Sequence, residues 1–148
     1  MSFIKNFFSS FDEVKSKILV DDIEKQVEFI ELIRKKRGRI FFLGVGGSAA
    51  NASHAVNDFR KLCKFECYAP TDNVSELSAR TNDEGWDTVF ESWLHTSRAN
   101  KNDCIFIFSV GGGNEEKNVS MNLVNATKYA SQKKIKTFAI LGRNDGFV

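Results

Sequence analysis

The spacing of apolar residues changes once along the chain. Up to Gly38 it is helical: Ile23, Val27, Ile30 and Ile33 recur at the intervals that line one helix face. Ser10-Phe11-Asp12-Glu13 has the spacing of a capping box and predicts a helix that starts at Ser10. The basic cluster 34–37 suits a helix C-terminus, where cations meet the negative end of the dipole, and Gly38 supplies the stop. Beyond Gly38, short apolar runs alternate with helical stretches. Residues 39–43, 65–69, 105–109 and 136–141 read as strands, and 49–62, 74–81 and 117–132 as helices. Trp86, Val89, Phe90, Trp93 and Leu94 form the apolar stripe of one more helix, a packing role rather than a ligand-stacking one. Strands alternating with helices predict an α/β fold: a parallel sheet covered on both faces. The 148 residues are enough for a single domain with its own core, N-terminal helices over 1–37 followed by an α/β core over 38–148.

Composition narrows the function classes. With 21 basic and 19 acidic side chains the net charge is +2, so a dedicated nucleic-acid partner is not expected. No apolar run approaches the ~20 residues of a spanning helix. The first fifteen residues, MSFIKNFFSSFDEVK, lack a long apolar stretch and a small-residue cleavage site, so no export signal is read and no membrane partner is expected. Cys63, Cys67 and Cys104 are odd in number, and the C-x3-C pair has no second pair to complete a zinc site. Buried or free thiols of a reducing cytoplasm are the simpler reading.

The candidate chemistry sits where strands turn into helices. Gly44-Val45-Gly46-Gly47-Ser48 follows the first predicted strand, and Ser109-Val110-Gly111-Gly112-Gly113-Asn114 follows the third. Parallel sheets bind ligands at the carboxyl ends of their strands. Glycine there lets a ligand approach without meeting a Cβ, and consecutive N–H groups beside a helix N-terminus converge on an anion. Two such junctions point to a phosphorylated ligand. Neither is a G-x-x-x-x-G-K-[ST] loop. The first comes near the dinucleotide fingerprint, with Ala49 where the third glycine would stand, which keeps a nucleotide-binding module as a further alternative.

Four stretches carry a resemblance to a known family. Residues 44–54, G-V-G-G-S-A-A-N-A-S-H, resemble the G-N-G-G-S-A-x-x-x-x-H stretch of the sugar isomerase (SIS) domains, with the phosphoheptose isomerases the best match. Thr71-Asp72 with Thr81-Asn82-Asp83-Glu84-Gly85 is similar to that family's middle segment, 109–114 stands at its S-T-S-G-N-S phosphate loop, and 141–146 resembles its L-T-G-R-D-G-G. The resemblance covers about residues 38 to 146. It implies a doubly wound, flavodoxin-like parallel sheet with extra N-terminal helices, usually assembled as a homotetramer with sites at subunit interfaces. It also implies a ketose–aldose isomerase that converts sedoheptulose 7-phosphate to a heptose 7-phosphate for bacterial surface-sugar synthesis. No nucleotide cofactor is expected.

The resemblance assigns roles residue by residue. His54 and Asp58 stand where the family has its H-x-x-x-E pair, which supplies the catalytic base and can share a metal, often zinc, with a His and a Gln from a C-terminal helix. Their i, i+4 spacing puts both on one helix face. Asp58 is one methylene shorter than the family's Glu. Ser48, Asn51, Asp72 and Asp83 fall on sugar-contacting positions; Ser109, Gly111, Gly112, Gly113 and Asn114 fall on the phosphate loop, where backbone amides would replace the family's hydroxyls. Glu115 and Glu116 are expected to face away from a phosphate. Val148 follows the last predicted strand, whereas the family continues with another strand and the metal-bearing helix. That leaves open a truncated chain, a short relative that senses sugar phosphate without isomerising it, or an assembly completed by another polypeptide.

Overall fold

The computed structural model describes residues 2–148. The chain divides into two compact units, one ending at Leu32 and one from Ile33 to Val148. The first contains helix α1 (Phe3–Ser16) and most of α2 (Val20–Lys35). Helix α1 begins earlier than its capping box suggests. Ser2 is the N-cap, its hydroxyl accepting from the Lys5 amide at 3.4 Å, so Ser10 lies in mid-helix. The reason is the stripe Phe3, Phe7, Phe11 and Val14, which is helical from the third residue on. No residue of α1 is buried, and Phe3 is 84% exposed.

The second unit is the α/β fold that the alternation predicts. Strands β1 (Ile40–Leu43), β2 (Cys67–Tyr68), β3 (Cys104–Ser109) and β4 (Lys136–Leu141) form one sheet in the order β2-β1-β3-β4, with every pairing parallel. Helix α3 (Gly47–Lys61) links β1 to β2. Helices α4 (Val74–Asp83) and α5 (Val89–Thr96) lead to β3, and α6 (Met121–Gln132) leads to β4. Strand β2 is shorter than its apolar run because it lies at the sheet edge, pairing only with Ile40 and Phe41.

Side-chain alternation divides the core between the two faces of the sheet. Phe41, Leu43, Ile105 and Ile107 pack with Val89, Phe90 and Leu94 of α5 and with Leu123, Ala126 and Tyr129 of α6. The other face carries a ladder of rings: Phe59 of α3 on Phe42 at 5.2 Å, Phe42 on Phe106 at 5.6 Å, and Phe106 on Phe138 at 6.2 Å. Edge-to-face and tilted contacts of this kind add to the burial of the rings themselves. Trp93 packs edge-on against Phe41 at 5.5 Å, the core role its stripe indicates.

Strand order fixes where a ligand can enter. The chain leaves β1 toward β2 on one side and leaves β3 toward β4 on the other. The point where the winding reverses lies between β1 and β3, whose paired residues run to Leu43 and Ile107. Doubly wound sheets open a crevice there, beyond the carboxyl ends of the strands. Both glycine-rich junctions emerge at this switch point.

Candidate functional site

After β1 the chain must turn sharply into α3. Gly44 allows it: a Cβ there would lie 2.3 Å from the Ser48 carbonyl oxygen. Gly46, the N-cap, has φ 60° and ψ −123°, a backbone only glycine adopts readily. Nothing lies within 4 Å of a Cβ built on Gly46 or Gly47, so this rim is open. Along α3, Ser48, Asn51, His54 and Asp58 follow at intervals of three and four and form one stripe. It runs from the helix N-terminus to the His54–Asp58 pair. The rise of ~1.5 Å per residue places His54 ~9 Å along the axis from Ser48.

His54 Nε2 and Asp58 Oδ2 are 3.3 Å apart, with side chains 77% and 45% exposed. The other oxygen of Asp58 accepts from Asn57 Nδ2 at 3.0 Å, which fixes the plane of the carboxylate. Asp72 ends a short 3-10 turn that starts at Pro70, and it accepts a hydrogen bond from the Ser53 hydroxyl next to His54. The turn therefore brings this aspartate against α3. Asp83 is the last residue of α4 and is exposed; it accepts from its neighbour Asn82 at 2.8 Å, and among the described residues no hydrogen bond ties it to α3 or to either glycine junction.

A metal would need more donors than the pair provides. Structural zinc takes four protein ligands and catalytic zinc three. Among the described residues no group of three His, Cys, Asp or Glu side chains converges. His54 and Asp58 are half of a tetrahedral set, so the residues present do not fit a zinc ion on their own. The cysteines add nothing to it: burial pushes the Cys67 thiol up to about 11 and the Cys104 thiol up to about 12, which keeps both protonated and unreactive, and Cys63 is an exposed free thiol.

The second junction is longer than its glycines suggest. The Ser109 hydroxyl accepts from the Gly112 amide at 3.0 Å and braces the turn from within. Gly112 and Gly113 have φ 67° and 80° and are buried. A Cβ on Gly113 would come within 2.8 Å of Val124 Cγ2, and one on Gly112 within 3.3 Å of the Gly146 Cα. The segment after β4 lies on the loop, with the amides of Phe147 and Val148 donating to the carbonyls of Gly113 and Gly112 at 3.0 and 3.1 Å. Both glycines are favoured by their positive φ, Gly112 also by the close approach of the Gly146 backbone and Gly113 by that of the Val124 side chain.

Asn114 then pairs with Val119 in both directions at 2.9 Å, closing a small excursion over residues 115–118. Helix α6 starts only at Met121, not near residue 117. Asn118 and Ser120, with φ 51° and 50°, are the reason: a helix cannot run through left-handed residues. Glu115 is on the excursion and bonded to Lys128 of α6, which neutralises it. Of the four amides from Gly111 to Asn114, those of Gly112 and Asn114 already have partners.

Ser120 is the residue that the sequence reading misses. It is the N-cap of α6, yet its side chain makes no capping bond. Its signal was a serine directly before the periodic run 121–132. Ser48 and Ser120 thus place a hydroxyl at the start of each helix flanking the switch point, where partial positive charge gathers.

Comparison with known proteins finds the same fold elsewhere. The SIS domain model matches residues 2–142. The phosphoheptose isomerase of Buchnera aphidicola is 29% identical over 152 aligned positions, covering all of this chain and 72% of that protein. That of Aliarcobacter butzleri is 30% identical, covering 97% and 76%. The structure of the phosphoheptose isomerase from Neisseria gonorrhoeae superposes with a TM-score of 0.81 at 26% identity, covering 98% of this chain and 78% of that one. Among the described residues no helix is long and apolar enough to cross a membrane.

Proposed function

Since the chain belongs to the SIS domain family, we propose that it is a sugar-phosphate isomerase of the phosphoheptose type, acting on sedoheptulose 7-phosphate to give an aldose heptose 7-phosphate for bacterial surface-polysaccharide synthesis. The observation that carries the reading is the α3 stripe, with a hydroxyl at the switch point and a carboxylate–imidazole pair further along the same helix face. The ~9 Å between Ser48 and His54 suits a seven-carbon chain whose phosphate sits at the helix N-termini and whose C1 and C2 lie at the pair. Ser48, Ser120 and the first amides of α3 and α6 hold the phosphate; Asn51 and Asp72 face the hydroxyls of the sugar.

The reaction needs a base and a proton donor. Asp58 takes a proton from C1 of the ketose. The C–H pair forms the C1–C2 double bond, and O2 takes a proton from His54. The proton on Asp58 returns to C2 while His54 takes the proton of O1, which restores both groups and gives the aldose. The exchange moves two protons and one electron pair within the substrate and needs no redox partner.

A second reading, a sensor that binds without isomerising, is favoured by the exposure of His54 and the shorter carboxylate at Asp58. Incubation with sedoheptulose 7-phosphate in deuterated water decides between them. Isomerisation puts deuterium at C2 of the aldose and washes it into C1 of the ketose; saturable binding with no label in either sugar leaves only the sensor.

The proposal includes assembly, as a homotetramer. Its support is the uncovered apolar stripe of α1, with Phe3, Phe7, Phe8 and Phe11 all at least 59% exposed, on a helix with no buried residue. Sedimentation equilibrium should give a mass near four times 16.7 kDa; a monomer at micromolar concentration removes this part.

A further inference from the structure

The end of the sheet opposite the glycine junctions carries a repeated feature. Arg37 precedes β1, Lys64 precedes β2, Arg98 precedes β3 and Lys134 precedes β4, and these have φ of 55°, 53°, 51° and 56°. All pairings are parallel, so these turns lie together at the amino ends of the strands. The left-handed turn at a helix end is where glycine is favoured, yet each turn uses a basic side chain. A cation near a helix C-terminus offsets the dipole, which accounts for the sign at all four. It does not account for the hollow at the third.

Between α5, the turn into β3 and the end of α6 lies a cavity of about 550 Å³, lined among others by His95, Arg98, Lys101, Tyr129 and Lys133. No carboxylate lines it. Arg98 and Lys101 make no ion pair among the described residues, and the Lys133 ammonium sits over the Tyr129 ring, 5.7 Å from its centroid. The nearest acid in sequence, Asp103, is 2% exposed and already accepts from Arg39 and Asn100. Glu91 and Glu84 belong to the adjoining cleft with Arg80, which pairs with Glu84. Three exposed cations from two separate elements therefore line one hollow whose own lining holds no carboxylate, with Glu91 in the cleft beyond His95 and Tyr129.

We propose that this cavity is a second anion site, distinct from the switch-point crevice, and that it takes a diphosphate group. One monoanion would leave most of the charge uncompensated, whereas a diphosphate matches three cations and can be held by the Arg98 fork and two ammonium groups together. The proposal stands independently of the isomerase reading.

The test is titration of the isotopically labelled full chain with inorganic pyrophosphate at physiological ionic strength, followed by amide NMR. Saturable shifts are expected at Ala99, Lys101 and Lys133. Arg98→Gly should raise the Kd by about tenfold or more, the loss of roughly one charge-assisted contact. Glycine suits the left-handed turn, so this variant should fold at least as well as the parent; Lys101→Gln should weaken binding in the same direction. Shifts confined to residues 111–120, shifts spread equally over the turns at Arg37, Lys64 and Lys134, or an unchanged Kd in Arg98→Gly would each overturn the proposal.

Discussion

Asp58→Asn is expected to lower deuterium exchange into sedoheptulose 7-phosphate by about 100- to 10,000-fold while leaving affinity for the sugar phosphate within a factor of a few. The substitution keeps the shape of the side chain, and its amide can still meet His54 and Asn57, which contact the carboxylate at 3.3 and 3.0 Å. What it removes is the lone pair that accepts a proton from carbon. The phosphate contacts assigned to Ser48 and Ser120 lie at the helix N-termini, away from the change. Asp58→Glu provides the control. It lengthens the reach by one methylene on the same helix face and should keep exchange within about tenfold of the parent, or raise it. An Asp58→Asn protein that exchanges at the parent rate would take Asp58 out of the mechanism.

How much of this could be read from residues alone varied with the physical origin of each feature. The parallel sheet was legible because buried strands such as 104–109 are continuous apolar runs, and the helices between them repeat with a different period. His54 and Asp58 were legible as a pair because a helix turns an interval of four into proximity, whereas Ser48 and Asn51 were reached only through the family resemblance. The start of α6 was not. Glu115, Glu116 and Lys117 are good helix formers, and nothing local announces that Asn114 will pair with Val119 across them. The glycines at 112 and 113 were legible as backbone requirements, but not their cause, since Gly146 and Val124 approach from distant points in the chain. Ser10 failed for the opposite reason: a four-residue motif was outweighed by an apolar stripe that runs through it. Local signals held where local geometry decides, and gave way where contacts distant in sequence do.

Asp103→Ala is expected to cost roughly 3–5 kcal/mol of stability, the usual result of leaving half of a buried ion pair. For a chain of this size that lowers Tm by about 10 °C, a shift that scanning calorimetry resolves. Asp103 is 3% exposed at its side chain and Arg39 is 22% exposed. The carboxylate accepts from the Arg39 amide at 2.9 Å, from Arg39 Nε and Nη2 at 3.2 and 2.8 Å, and from the amide and side chain of Asn100 at 3.0 and 3.1 Å. The bond to Asp103 outweighs burial and raises the Arg39 pKa, so the guanidinium stays charged throughout the accessible range. Alanine would strand the Arg39 amide and Nε and the Asn100 amide, while Arg39 Nη2 and Asn100 Nδ2 would keep only their 3.3 Å bonds to the Arg98 carbonyl. The clamp joins the first residues before β1 and β3, next to the bond from the Cys104 amide to the Arg39 carbonyl at 2.9 Å. Gly38 fits there only without a side chain, since a Cβ would lie 1.8 Å from the Asn102 carbonyl oxygen. Pairing of β1 with β3 begins at Ile40 and Cys104 and ends at Leu43 and Ile107, directly before the two glycine junctions. A clamp at the amino end therefore holds the register that sets the switch point at the other. Arg39→Met combined with Asp103→Leu should recover part of the loss, because an apolar pair leaves no buried charge. A Tm within about 2 °C of the parent for Asp103→Ala would show that water reaches Arg39 and that the register is held by the strands alone.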